Sequence, residues 1–197
     1  MNGMGHGSPA EDQWDLLVSH GFGTRFSGLW VEGDDPDEIA RRLRADPESR
    51  LECDLPTAMR WYQPYSSTEI VWIGAHAPGW MHVLSISGSY LEEYVLTVGG
   101  RRLFRVEYDR LVDGVHDLDY FHNGRFVEEL SGFCEGEMET GSIFDLYSMG
   151  LDFSHPGDER MMSTFLTLVG RVSGRFIDRR WLEATRVLYR IPDDAWD

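Results

Sequence analysis

The 197-residue chain contains no lysine, and all 18 of its basic residues are arginine. Without lysine, the chain cannot form a Schiff base through a lysine amine. It also lacks the lysine that P-loop proteins place against a nucleotide phosphate. Both classes of chemistry are therefore excluded. Exclusive use of arginine is typical of a GC-rich bacterial genome.

Other features that the sequence lacks narrow the class of protein further. No apolar run approaches the roughly 20 residues that cross a bilayer. The first twelve residues have neither the basic region nor the apolar stretch of a signal peptide. We therefore expect a cytoplasmic protein that does not associate with a membrane. The two cysteines, Cys53 and Cys134, have no metal-site or redox spacing, and we expect both to be thiols in or beside the core.

Sequence motifs of known catalytic sites are also missing. The chain has no GxSxG motif, and Gly99-Gly100 does not lie between a strand and a helix as a phosphate loop would. Adjacent carboxylates such as Glu92-Glu93 and Glu128-Glu129 are numerous. In so acidic a chain such pairs arise by chance, so none of them indicates acid–base catalysis.

The charge is strongly negative and unevenly distributed. The formal net charge is −16. Residues 1–159 hold 29 acidic and 11 basic residues, whereas residues 160–191 hold seven arginines and two acidic residues. A body this acidic repels nucleic acids and anionic membranes and attracts basic proteins. We expect the C-terminal arginines to pair with the acidic body rather than with nucleic acid: Arg171, Arg175, Arg179, Arg180, Arg186 and Arg190.

The strands are the elements that the sequence predicts most clearly. Residues 69–130 form a run of strand patterns, and Leu103–Tyr108 alternates cleanly with a period of two. Asn123-Gly124 between two apolar-aromatic runs predicts a β-hairpin. A further strand is predicted at residues 26–33. The sequence therefore predicts an antiparallel β-sheet of about five to six strands, with its core at residues 69–130.

Helices are predicted on both sides of this sheet. Asp35 and Pro36 mark the start of an N-terminal helix. Two or three C-terminal helices are predicted within residues 143–191, at 143–153, 158–172 and 179–189, and we expect them to pack on the sheet. Strands followed by helices favour the α+β class. Residues 1–12 are predicted to be a disordered lead-in, and residues 13–197 a single domain.

Several short motifs occur in an order that resembles a known family. They are Leu29-Trp30-Val31-Glu32-Gly33, then Asp35-Pro36-Asp37-Glu38-Ile39, a strand beginning at Gly79-Trp80, the turn Asn123-Gly124-Arg125, the helix end Val169–Gly174, and Ile191-Pro192-Asp193. In this order the chain resembles a family of uncharacterised actinobacterial proteins, from about Trp14 onward. The resemblance implies an immunity or accessory type of protein, and it carries over no catalytic residue.

The first functional hypothesis is a non-catalytic, acidic protein-binding module that needs no cofactor and binds a basic protein. In bacteria, an immunity or accessory protein of a conflict or secretion system fits this description. Alternate carboxylates on a glycine-flanked loop present a row of negative charge, and aromatic residues in the irregular segment 51–67 are expected to be exposed. The residues expected to bind the partner are Glu135, Glu137, Glu139, Trp61, Tyr62 and Tyr65.

The second hypothesis is a small metal-dependent hydrolase or ligand-binding domain. His116 and His122 share one face of an extended segment. Three metal ligands cannot converge from that strand alone, so His82 or His76 would have to approach from a neighbouring strand. The simpler interpretation is that these histidines lie on a strand surface near a turn. The sequence favours the first hypothesis and leaves the second open.

Overall fold

The computed structural model describes residues 7–88, 91–131, 142–153 and 157–196. Within these ranges the strands are β1 Arg25–Glu32, β2 Leu51–Cys53, β3 Glu69–Ala77, β4 Trp80–Ser87, β5 Arg102–Asp109, β6 Gly114–Val115, β7 Leu118–His122, β8 Arg125–Leu130 and β9 Arg186–Ile191. The helices are α1 Gln13–Leu17, α2 Pro36–Arg42, α3 Leu55–Ala58, α4 Tyr94–Thr97, α5 Asp158–Ser173 and α6 Arg179–Glu183. None of these helices is both long enough and apolar enough to span a membrane.

The nine strands form one antiparallel sheet, in the order β2-β9-β3-β4-β1-β5-β7-β8, with β6 paired to the end of β5. The predicted α+β class is therefore confirmed. The predicted number of five to six strands is too low, because β2, β6 and β9 were not expected. β2 and β6 are three and two residues long, too short for a periodic pattern to reveal them.

The last strand overturns a predicted helix. The sequence predicts one helix over residues 179–189, and Asp178 caps its start as expected by accepting a hydrogen bond from the Trp181 amide at 2.6 Å. The helix ends at Glu183, however, and Ala184 is extended. The chain then continues as β9, which pairs with β2 on one side and with β3 on the other. Pairing on both edges is a long-range stabilisation that outweighs the local helical pattern.

A second predicted helix is also shorter than expected. Of residues 143–153, only Ile143–Leu146 form a helical turn, of the 3-10 type. The carbonyl oxygens of Tyr147 and Met149 accept hydrogen bonds from Arg171 at 2.7 and 2.9 Å. These carbonyls are therefore directed at a side chain of α5 rather than at the amides of a continuing helix.

The sheet is covered on both faces. On the first face, α1, α3, α5 and α6 pack over a large aromatic core that includes Trp30, Trp72 and Trp181. On the second face, α2 and α4 cover a smaller core that includes Leu29, Val83 and Leu103. Alternate residues of each central strand enter opposite cores, as the period of two requires. The first-face core continues into α5, in which ten of 16 residues are buried.

Several local predictions are confirmed by backbone conformation. Asn123 and Gly124 both have positive φ, of 51° and 76°, as a two-residue β-hairpin turn requires. Asp35 caps α2 by accepting a hydrogen bond from the Asp37 amide. α5 ends at Gly174, whose φ of 80° closes the helix in the left-handed conformation.

The predicted lead-in, residues 1–12, is described only from Gly7 onward. There the carbonyl oxygen of Gly7 accepts a hydrogen bond from Arg171 at 2.9 Å. The Asp12 carboxylate accepts hydrogen bonds from the Trp14 amide at 2.9 Å and from the Ser163 hydroxyl at 2.6 Å. These contacts join the beginning of the described chain to α5.

Gly74 makes room for a long side chain of β9. A Cβ atom at Gly74 would lie 2.5 Å from Cγ and 2.7 Å from Cδ of Arg186. Arg186 is only 4% exposed, so its side chain has little freedom to move aside. The pairing of β3 with β9 therefore requires glycine at this position.

We expect Gly74→Ala to lower the free energy of unfolding by about 1–3 kcal/mol, because the added methyl group overpacks the core. Urea unfolding at pH 7 measures the change. Gly23→Ala is the control: a Cβ there lies 3.4 Å from Val18, an ordinary contact, at a φ of −67°. Equal losses in the two variants would contradict this account of Gly74.

Candidate functional site

Four large apolar or aromatic side chains are exposed in the two segments that adjoin the start of β3 and the end of β5. Trp61 is 54% exposed, Tyr65 52%, Leu111 73% and Val112 61%. The first two belong to the segment that leads into β3, and the other two to the turn that follows β5. We call these four residues the apolar end surface.

Asp109 joins the two halves of the apolar end surface. Its carboxylate accepts a hydrogen bond from the Tyr65 hydroxyl at 2.6 Å and another from the Leu111 amide at 2.9 Å. The guanidinium of Arg25 lies 5.5 Å from the centroid of the Tyr65 ring, and Arg25 Nε lies 3.8 Å from the Asp109 carboxylate. The hydrogen bond to Asp109 raises the pKa of Tyr65. The exposed ring is therefore held in one place by its hydroxyl group.

The predicted partner-binding residues have different positions. Trp61 and Tyr65 are exposed, but Tyr62 is partly buried and packs against the first-face core. The predicted acidic row lies outside the described residues: Glu135, Glu137 and Glu139. Of the six predicted residues, the structure thus shows Trp61 and Tyr65 exposed, and Asp109 joins Tyr65 to the turn that carries Leu111 and Val112.

The histidines of the alternative metal site do not converge. His122 lies opposite Arg102 at one end of β5, with its ring nitrogen 3.2 Å from the Gly100 carbonyl oxygen. His116 lies at the other end, where its amide bonds to the Glu107 carbonyl oxygen. His82 is completely buried in the first-face core. Across the described ranges, no three His, Cys, Asp or Glu side chains are grouped to hold a metal ion.

His76, the other candidate ligand, belongs to a buried cluster with tryptophan and arginine. Its Nδ1 accepts a hydrogen bond from the Trp181 indole at 2.9 Å, and its Nε2 lies 2.9 Å from both the Ser173 hydroxyl and the Arg175 carbonyl oxygen. Burial lowers the pKa of His76 to about 3. The neutral ring therefore connects β3 with the end of α5 and with α6.

Arg186 is the cation of this cluster. Its guanidinium carbon lies 4.0 Å from the Trp181 ring centroid and 4.8 Å from that of Trp72. One Nη lies 3.4 Å from Nδ1 of His82, and Nε has no hydrogen-bond partner among the described residues. Burial lowers the pKa of Arg186 to about 9. The expectation that Arg186 pairs with the acidic body is wrong, since its contacts are with aromatic rings.

A second cluster, on the other face of the sheet, contains more carboxylates than arginines. Arg105 donates hydrogen bonds to Glu93 at 2.6 Å and to Asp119 at 2.8 Å, and its Nε lies 3.8 Å from Glu107. Burial raises the pKa of the Glu93 and Asp119 carboxyls, although the charge of Arg105 opposes the shift. The Ser27 hydroxyl donates to Glu107 at 2.7 Å.

The cavity beside this cluster is small. It has a volume of about 60 Å³ and is lined by polar groups that include Ser27, Ser85 and Glu93. Such a volume holds a few water molecules, whereas pockets for organic ligands span about 300–1,000 Å³. The cluster can share protons among its carboxyls, but the cavity does not admit an organic substrate.

The C-terminal arginines are used in several ways. As expected, Arg190 and Arg179 pair with carboxylates of the acidic body, Asp46 and Glu11. Arg175 pairs instead with Asp178 of its own C-terminal segment. Arg171 instead binds three carbonyl oxygens, and Arg186 is buried. Arg180 is exposed.

Comparisons with known proteins find no relative. No protein-family model matches the chain, and neither the search of curated proteins nor that of solved structures finds a match. The resemblance to an actinobacterial family therefore stays a prediction.

We expect Arg105→Gln to lower the free energy of unfolding at pH 7 by about 3–5 kcal/mol, since two buried carboxylates lose their cation. This loss of stability should become smaller toward pH 5. Burial raises the pKa of Glu93 and Asp119, so in the folded variant these carboxyls take up protons that the unfolded chain does not bind, and the uptake favours the folded state. Arg102→Gln is the matched control. The two arginine side chains are almost equally exposed, Arg102 at 33% and Arg105 at 31%. Their partners differ, because the Glu32 side chain is 29% exposed and the Glu93 side chain only 8%.

Chemical denaturation at pH 5 and pH 7 measures both variants. Arg102→Gln should cost at most about 1 kcal/mol, as exposed ion pairs do. Equal costs in the two variants, or a cost of Arg105→Gln that does not change with pH, would refute the account.

The pH dependence of the free energy of unfolding should also reveal the effect of burying His76. An unfolded histidine titrates near 6.5, whereas folded His76 has a pKa of about 3. The neutral His76 ring therefore contributes fully to the free energy of unfolding above pH 6.5. As the pH falls toward 3, this contribution is lost, and the free energy of unfolding decreases by up to about 5 kcal/mol. His76→Gln should be less stable at pH 7 but lose stability less steeply below pH 6.5. A wild-type slope in His76→Gln would disprove this assignment.

Proposed function

We propose that the protein is a non-catalytic module that binds a basic protein through the apolar end surface. The observation that carries the proposal is that Trp61, Tyr65, Leu111 and Val112 are each more than half exposed, in two segments that the hydrogen bond between Tyr65 and Asp109 joins. Contiguous exposed apolar side chains mark interaction sites, and tryptophan and tyrosine are enriched among the residues that dominate binding energy.

The surface is ordered before any partner binds. The Tyr65 hydroxyl is bonded to Asp109, and the Tyr65 ring lies against Arg25. Asp109 also fixes the backbone of the neighbouring turn through the Leu111 amide. Because ordering side chains on binding costs free energy, a surface held in this way binds more tightly than a mobile one of the same composition.

Charge favours a basic partner. The chain carries a net charge of −16, and many arginines are already neutralised within the fold. At least ten form ion pairs with carboxylates: Arg25, Arg41, Arg42, Arg50, Arg101, Arg102, Arg105, Arg175, Arg179 and Arg190. The field around the molecule is therefore negative, and such a field accelerates encounter with a positively charged surface.

An immunity or accessory role in a bacterial conflict or secretion system is the finer form of this proposal. It rests on the resemblance of the sequence motifs. In such a role the module masks a working surface of its partner. The predicted acidic row Glu135, Glu137 and Glu139 remains part of the hypothesis as a second contact.

The proposal predicts capture of a basic protein from a lysate of the source bacterium at low ionic strength, with release as salt is added, because salt screens the attraction. The triple variant Trp61→Ala, Leu111→Ser, Val112→Ser should capture that protein at least about tenfold less, as loss of central apolar contacts does. Quantitative mass spectrometry of the eluates measures the ratio.

Val98→Ser with Met149→Ser is the matched control, because these side chains are 55% and 66% exposed and lie outside the apolar end surface. This double variant should capture the same protein as the wild type. If the triple variant captures as much as the control, or if the captured protein is acidic and insensitive to salt, the proposal is wrong.

A further inference from the structure

Three arginines near the C-terminus, Arg175, Arg179 and Arg180, border one cavity of about 470 Å³. The carboxylates Glu11 and Asp178 also line it, together with the apolar residues Ala10, Phe176 and Ile177. None of these residues belongs to the apolar end surface. The lining thus holds one more arginine than carboxylates beside an apolar floor, within a chain whose net charge is −16.

The arginines of this cavity are available to a ligand. Arg179 lies 3.2 Å from Glu11, and the two side chains are 72% and 46% exposed. One Nη of Arg175 lies 3.2 Å from Asp178, and these side chains are 37% and 53% exposed, whereas the other Nη donates a hydrogen bond to the His76 carbonyl oxygen at 2.9 Å. Ion pairs this exposed contribute little free energy, so a ligand with a higher charge density can replace the carboxylate. Arg180 is exposed and adds a third guanidinium.

The floor of the cavity is fixed by packing. The Phe176 ring lies so close to α5 that a Cβ atom at Gly170 would overlap it. Ile177 is 4% exposed, and its amide donates a hydrogen bond to the Gln13 side chain at 2.9 Å. The apolar side of the cavity is therefore formed before a ligand enters.

We infer that this cavity binds a small organic phosphate. Guanidinium groups match phosphate oxygens with paired hydrogen bonds, and three of them occur within residues 175–180. The volume lies within the range of small-molecule sites, and the apolar floor of Phe176 and Ile177 suits the organic part of the ligand. The acidic body opposes a long polyanion such as nucleic acid, which favours a small ligand.

The test measures binding of phenyl phosphate, AMP and glucose 6-phosphate by isothermal titration at fixed ionic strength, with inorganic phosphate and sulfate as reference anions. At least one organic phosphate should bind the wild type more tightly than either reference anion. Arg179→Gln with Arg180→Gln should weaken that binding at least about tenfold, since charge-assisted hydrogen bonds are lost.

Arg41→Gln is the matched control, because the Arg41 side chain is 73% exposed and lies on α2. This variant should bind as the wild type does. The inference is overturned if no organic phosphate binds better than inorganic phosphate and sulfate. It is also overturned if the Arg179/Arg180 double variant binds as the wild type, or if Arg41→Gln weakens binding equally, since either result indicates a general charge effect.

Discussion

The guanidinium of Arg186, held between two tryptophan rings, is the contact on which much of the first-face core depends. Its neighbours Trp72 and Trp181 belong to β3 and α6, and Arg186 itself begins β9. A buried cation costs several kcal/mol of desolvation unless it is compensated, and tryptophan faces supply about 2 kcal/mol or more each when the cation is desolvated. One side chain thereby fixes three elements. A lysine ammonium would be a poor substitute, because it lacks the planar group that stacks on rings.

The same contact explains how the end of the chain becomes part of the sheet. β9 lies between β2 and β3, so without it β2 would have no strand to pair with. His76 extends the arrangement by joining Trp181 to the end of α5. The sheet and the helices of its first face are therefore linked by buried polar groups as well as by apolar packing. The hydrogen bonds of His76 favour this arrangement, since moving α6 or the end of α5 would leave its buried ring nitrogens without partners.

Local features of the fold could be predicted from the sequence, and long-range ones could not. Asp35, Asn123-Gly124 and Gly174 act within a few residues of their own position, and all three were read correctly. The strand at residues 186–191 is stabilised by partners that lie more than a hundred residues away, so its own pattern resembled the end of a helix.

For the candidate site, too, the local features could be predicted from the sequence and the long-range ones could not. The prolines around Trp61 and Tyr65 indicated exposed aromatic residues, and both are exposed. Nothing in the local sequence indicated that the turn after β5 lies beside them, because sheet order alone brings Leu111 and Val112 to that end. The three carboxylates around Arg105 could likewise not be grouped from the sequence, since they come from β5, β7 and the segment before α4.

The C-terminal arginines fall into two groups, those whose side chains stabilise the fold and those that lie at the surface. Arg171 and Arg186 satisfy buried or partly buried groups of the core, and Arg190 holds Asp46 at the edge of the sheet. Arg179 and Arg180 make no such contribution, because one forms an exposed ion pair and the other is exposed. The ion pair between Arg179 and Glu11 is exposed on both sides and contributes little free energy to folding, so it leaves the guanidinium open to exchange. The placement of Arg179 and Arg180 beside an apolar floor suits the anionic ligand with an apolar part that we propose.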